Sequence, residues 1–158
     1  MYLEGSCCCG AVGFSVEAAA PVPFLRCYCS ICRKTGGGGG YAINLGAQAA
    51  SLEVRGAENI TVFHAEIDGA RSSAERRFCS RCGSALWVWD PRWPELVHPF
   101  ASAIDTPLHV APEQVHMLLD SKPDWVRLDA AKSEARFDRY PEESLDDWHR
   151  RHSLRDEA

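Results

Sequence analysis

Three thiols fall within six positions in the run Cys27-Tyr28-Cys29-Ser30-Ile31-Cys32. Disulfide pairing does not use three cysteines so closely spaced, but one tight turn can aim three sulfurs at a single cation. Zinc takes four ligands, and three protein ligands leave one corner for water or a substrate. Two further knuckles carry thiols. Cys7, Cys8 and Cys9 stand just before Gly10, and Cys79 and Cys82 form a C-x-x-C pair closed by Gly83. All eight cysteines lie in these knuckles. A disulfide framework belongs to small secreted chains, so metal ligation is the better reading of the spacing.

Joining Cys7 and Cys9 to Cys79 and Cys82 makes a closed four-thiolate site. It leaves Cys27, Cys29 and Cys32 as an open one, with Cys8 spare and pointing away from its neighbours. The spacing also permits Cys7 and Cys9 to join two central thiols instead. The first pairing is favoured because it separates a structural site from a catalytic one, giving two zinc ions per chain. Three thiolates around zinc suit a soft fourth ligand, so a substrate thiolate fits the open corner. A thiol held there is deprotonated and can add to an electrophile such as an aldehyde. A second structural zinc, with a distant fourth ligand, is the blander reading of the same run.

Next to this centre stand Arg33 and Lys34, then Thr35 and the glycines 36–40. Arg33 and Lys34 can meet the carboxylates of an anionic thiol, and Gly36 and Gly37 can let backbone N–H groups approach it. These four are the candidate substrate-binding residues. His64, His98, His109 and His116 are acid–base candidates, each more simply read as a strand or surface histidine. Neither Gly-x-Ser-x-Gly nor His-Glu-x-x-His occurs, and no Lys-Ser/Thr pair follows the glycines, so hydrolase, zincin and phosphate-loop chemistry lack their motifs.

The elements that must position these groups are short and mostly extended. Val12, Phe14 and Val16 alternate as in a half-buried strand, and 41–45, 52–55, 60–64, 74–78 and 85–89 also read as strands. Asp68-Gly69 is a two-residue hairpin turn. Strands are expected at 100–104 and 115–119, then a turn over 120–125 that buries Trp125. Leu145, Trp148 and His152 share helical spacing, which predicts one short C-terminal helix. The 158 residues suit one domain, and the net charge of −5 with no basic stripe argues against nucleic acid. No run is long and apolar enough to span a bilayer, and the N-terminus has no secretory pattern, so a cytoplasmic protein is expected.

Taken together, Gly5-Ser6-Cys7-Cys8-Cys9-Gly10-Ala11-Val12, Cys27-Tyr28-Cys29-Ser30-Ile31-Cys32-Arg33-Lys34 and Arg77-Phe78-Cys79-Ser80-Arg81-Cys82-Gly83-Ser84 resemble the glutathione-dependent formaldehyde-activating enzymes, the family that includes the centromere protein V type domain. The segment 115–125, ending Asp120-Ser121-Lys122-Pro123-Asp124-Trp125, is similar to its closing signature. The resemblance implies a mainly β, Mss4-like zinc-binding fold of several small antiparallel sheets. It implies a catalytic domain over 1–126, with 127–158 as a C-terminal extension carrying the short helix. It implies structural zinc on Cys7, Cys9, Cys79 and Cys82, and a second, catalytic zinc on Cys27, Cys29 and Cys32. The implied activity is a carbon–sulfur lyase joining formaldehyde to glutathione or another small thiol. Tyr28 stands where the family often has His, and five glycines replace its usual bulky apolar residue. A non-enzymatic zinc-stabilised module for protein or nucleic acid is the alternative. A methionine sulfoxide reductase is a third reading, but Arg26-Cys27-Tyr28-Cys29 lacks the Asn that such a centre uses.

Overall fold

Runs of alternating or β-branched residues, each cut short by Gly, Pro or a polar pair, produce brief strands. The computed structural model describes residues 1–109, 111, 113–128 and 134–154. In chain order the elements are β1 (Tyr2–Ser6), β2 (Gly13–Glu17), β3 (Phe24–Cys27), α1 (Ser30–Gly36), β4 (Ala42–Asn44), β5 (Ala47–Gln48), β6 (Glu53–Arg55) and β7 (Ile60–Phe63). There follow β8 (Glu66–Ile67), β9 (Ala70–Arg71), β10 (Glu75–Cys79), β11 (Ala85–Trp89), β12 (Leu96–Pro99), β13 (Gln114–Met117), β14 (Glu134–Arg136) and α2 (Leu145–Arg151).

The strands form four small sheets, ordered β1-β2-β6, β5-β12-β11-β10-β7, β14-β13-β3-β4 and β8-β9. This is the mainly β architecture of small sheets with a short C-terminal helix that the sequence leads one to expect. One detail differs, because β13 runs parallel to both β3 and β14. Parallel neighbours need a long crossover, and the chain returns to β3 only after passing through the five-stranded sheet.

The main core gathers Leu3, Val12, Phe14, Val16, Leu45, Leu86, Trp87 and Val97 between the first two sheets. A second cluster contains Cys27, Cys32, Ala42, Phe100 and Met117, so the central thiols are themselves part of a packed layer. The hairpin turn has positive φ at both Asp68 and Gly69, as a two-residue turn requires.

Three local expectations are corrected. Residues 101–103 form a 3-10 turn, because the pairing partner of β11 is Leu96–Pro99 just before them. Trp125 is 65% exposed, and the turn buries Val126 instead. The helix α1 begins within the central thiol run and carries Cys32, where only a tight turn was expected.

The C-terminal residues pack on the sheets. β14 lies beside β13. In α2, Ser144 caps the first turn by accepting a hydrogen bond from the Asp147 N–H, Trp148 packs against Val22 and Ala111, and His149 Nε2 donates to the Val22 carbonyl at 2.6 Å. Among the described residues no helix is long and apolar enough to cross a membrane.

Candidate metal centres and active site

The four-thiol group is built by two turns. After β1 the chain folds back with Gly10 at φ 73°, its N–H donating to the Cys7 carbonyl at 3.0 Å. After β10 it folds back with Gly83 at φ 76°, whose N–H donates to the Cys79 carbonyl at 2.9 Å. Glycine is needed at both positions because a Cβ disfavours this left-handed backbone. The turns bring Cys7, Cys9, Cys79 and Cys82 together, with all four sulfurs within 4.8 Å of one another. Cys7 and Cys9 sulfurs are 3.6 Å apart, and those of Cys9 and Cys79 3.8 Å. A tetrahedron with Zn–S bonds of about 2.3 Å has sulfur–sulfur edges of about 3.8 Å, so the donor set fits zinc. The Val12 N–H donates to Cys7 Sγ at 3.2 Å, and the Ser84 hydroxyl pulls Cys82 down to about 5. Cys8 is exposed and outside the group, while its N–H donates to Ser84 Oγ. The rival pairing with the central thiols is not formed.

The three-thiol group sits where β3 runs into α1. Cys27 ends the strand, Cys29 is the helix N-cap and Cys32 lies in the first turn. Cys29 Sγ accepts the Cys32 N–H at 3.3 Å, so the first turn of α1 is closed by a ligand-type atom. The three sulfurs lie within 4.8 Å of one another, with Cys27 and Cys32 buried and Cys29 half-buried. Hydrogen bonds from Cys27 and Cys32 pull Cys29 well down, while the neighbouring thiols push Cys27 far up. A bare trio thus gives up one proton readily and resists losing more. A dication at its centre would remove that resistance, so the trio could hold a metal ion.

The candidate substrate-binding residues divide by position. Arg33 is half-buried, and its Nε has no hydrogen-bond partner; Lys34 is exposed. Gly36 faces Phe100, where an added Cβ would stand 3.4 Å from the ring, and it also lines a cleft of 580 Å³. Ser6, Cys8, Ser84, Ser102 and Asp105 form other parts of that cleft, which runs from the four-thiol group to α1. A Cβ on Gly37 would stand 1.9 Å from the Tyr41 carbonyl oxygen, so close backbone packing alone demands glycine there.

Sequence reasoning missed the support behind the central thiols. Tyr28 is buried between Cys27 and Cys29, and its hydroxyl lies 2.8 Å from His116 Nδ1. His116 Nε2 lies 3.5 Å from Glu134, whose other oxygen accepts from Arg136 at 2.9 Å. The carboxylate beside Nε2 favours the proton there, leaving Nδ1 to accept from Tyr28. Only the departure at Tyr28 signalled this network, since its partners stand 88 and more residues away. Of the other acid–base candidates, His98 Nδ1 and His64 Nδ1 meet backbone carbonyls, and His109 is exposed.

Burial, opposed by Glu134, holds the His116 pKa below its ordinary value. The fold therefore favours neutral His116, a contribution present above about pH 6.5 and lost as pH falls toward the depressed folded value. The difference in unfolding free energy between wild type and His116→Gln should accordingly narrow from pH 7 to pH 6. A widening gap would mean that His116 is held as a cation by Glu134.

The fold and the paired thiol groups define a small β protein built around two metal-type cysteine centres. The chain belongs to the glutathione-dependent formaldehyde-activating enzyme family, whose model matches residues 2–121. A Halomonas elongata protein named "Putative glutathione-dependent formaldehyde-activating enzyme" is 61% identical over 154 residues, covering 98% of each chain. A crystal structure of a Rhodobacter sphaeroides protein is similar with a TM-score of 0.55 at 31% identity, over 66% of this chain and 89% of that one.

Proposed function

We propose that the chain is a zinc-dependent carbon–sulfur lyase of the cytoplasm, joining formaldehyde to glutathione or a similar small thiol. Membership of the family supports the reaction class. The observation that carries the site is the three-thiol group, which offers one donor fewer than zinc takes. Its four-thiol counterpart serves structure, so each chain binds two zinc ions, and the reduced thiols suit a reducing compartment.

The reaction is an addition. The thiol sulfur bonds to the carbonyl carbon, the carbonyl π pair moves to oxygen, and the thiol proton ends on that oxygen. No oxidant or reductant is consumed. Zinc, when bound, supplies a cation that keeps a thiol deprotonated or polarises a carbonyl. Cys27 and Cys32 anchor the site from within the apolar layer, and half-buried Cys29 forms its outer side. Arg33 and Lys34 offer cations to the carboxylates of the thiol. The cleft beside Gly36 falls in the volume range of small-molecule sites.

Exchange spectroscopy on glutathione with labelled formaldehyde tests the proposal. The full-length, zinc-loaded chain should speed interconversion of free and hydroxymethylated thiol in proportion to its concentration. No acceleration with glutathione or with any other small thiol would remove the lyase reading and leave a zinc-stabilised binding module.

A further inference from the structure

One residue separates Cys27 from Cys29, so the backbone torsions of Tyr28 set where the second sulfur stands relative to the first. Tyr28 is held through its backbone, its ring and its hydroxyl. Its N–H donates to the Met117 carbonyl at 3.1 Å, and Met117 stands opposite Cys27 in the parallel pairing of β13 with β3. Its ring stacks on His116, with centroids 5.7 Å apart and an interplanar angle of 16°, and tilts against Tyr41 at 5.2 Å. Its hydroxyl meets His116 Nδ1 at 2.8 Å.

The line continues into the C-terminal residues. His116 Nε2 faces a Glu134 oxygen at 3.5 Å, and the other oxygen of that carboxylate accepts from Arg136 at 2.9 Å. Both residues lie on β14, which is fixed to β13 with Gln114 opposite Glu134 and His116 opposite Arg136. Past the strand, the Phe137 N–H donates to the His116 carbonyl at 2.9 Å. Tyr28 and His116 are each 1% exposed, and the Glu134 side chain 9%.

Stability alone does not call for such a buried polar line. A buried phenol and imidazole must each find a partner, whereas apolar side chains of similar volume need none. What the polar line adds is direction. The hydrogen bond to His116 selects one placement of the phenol, and that placement fixes the residue between two thiols. Outer partners orient metal ligands in this way.

We propose that Tyr28, His116 and Glu134 are positioning residues of the three-thiol centre, which set the spacing of the Cys27 and Cys29 sulfurs and so the metal affinity of the open site. The inference rests on the reading of that centre as a metal site. It makes β14 part of the site, although the family model ends at residue 121. The ligand is a divalent cation that takes thiolates, such as zinc or cobalt(II).

Full-length protein carrying one zinc per chain, in the four-thiol group, is titrated with cobalt(II), whose thiolate-to-metal absorption band reports filling of the second site. Cys29→Ser, which lacks a donor, marks the signal of a site that does not fill. Tyr28→Phe keeps the ring and removes the hydroxyl, while Glu134→Gln keeps the shape and removes the charge. Cobalt affinity should fall at least about tenfold in Tyr28→Phe, the lower end of the effect of a lost outer partner, and several-fold in Glu134→Gln. The double variant should bind about as weakly as Tyr28→Phe alone, because both changes act through one line. Zinc in the four-thiol group should be retained throughout. Wild-type cobalt affinity in a folded Tyr28→Phe protein, even one that melts lower, overturns the inference, since the hydroxyl would then serve packing only. A loss in Tyr28→Phe with none in Glu134→Gln overturns the assignment of β14 to the site. Should Tyr28→Phe not fold, Glu134→Gln decides alone, and wild-type affinity there overturns the inference. A wild-type protein that takes up no second metal overturns the reading of the centre, and this inference with it.

Discussion

Cys29→Ser should lose one of two metal ions per chain and nearly all thiol–aldehyde turnover while remaining folded. The asymmetry follows from the two jobs of this side chain. As a cap, Cys29 Sγ accepts the Cys32 N–H, and a serine hydroxyl does that at least as well. As a metal donor, a serine oxygen is a poor substitute for a soft thiolate. Loss of an outer partner of a metal ligand costs ~10–100-fold in affinity or activity, so loss of a ligand should exceed that range. Cys29→Ala should lose the cap as well, and unfold at a lower temperature than Cys29→Ser. Metal analysis, thermal unfolding and exchange kinetics read the three effects. Full turnover in Cys29→Ser would sink the catalytic reading of the trio.

The second large effect belongs to the other centre. Cys79→Ala should yield a chain without a cooperative unfolding transition. Structural zinc contributes about 10–16 kcal/mol in small domains, whereas a whole domain is stable by about 5–15 kcal/mol. Cys79 is also fully buried at the end of β10, so its loss opens a hole in the main core as it removes a donor. Cys8→Ala is the matched control. Cys8 is exposed, and only its backbone N–H is engaged, so both metals and the melting temperature should be retained. A folded Cys79→Ala protein melting near wild type would show that the four-thiol group is not what holds β1 and β10 together.

Both thiol groups were legible because each knuckle is local in sequence, and turn glycines mark the two knuckles of the four-thiol group. Cys7 and Cys9 find Cys79 and Cys82 some 70 residues away, yet counting ligands was enough to favour that pairing. Strands β2, β4, β6, β7, β10 and β11 were legible through alternation or β-rich composition, whereas β1, β3 and β5 were not read. The parallel placement of β13 was not, since hydrogen bonds from 114–117 to 24–27 leave no local pattern. Helix α1 was hidden because its cap is a cysteine, which reads as a ligand before it reads as a helix start. Phe100–Ile104 looked like a strand by composition, but a strand exists only where a partner edge is free, and Leu96–Pro99 had taken it. The Tyr28–His116–Glu134 contacts join segments far apart along the chain, so no window of sequence contains them.

The parallel addition of β13 and β14 also sets an order in time. A ribosome makes Cys27, Cys29 and Cys32 early, but the strands that wall them in lie about a hundred residues later. At ~5–20 residues per second, the nascent thiols wait roughly 5–20 s for their shelter. During that interval the central knuckle is an exposed trio of reactive sulfurs on an unfinished chain. Early metal capture, before β13 arrives, would protect it from oxidation and fix the turn on which the last strands dock.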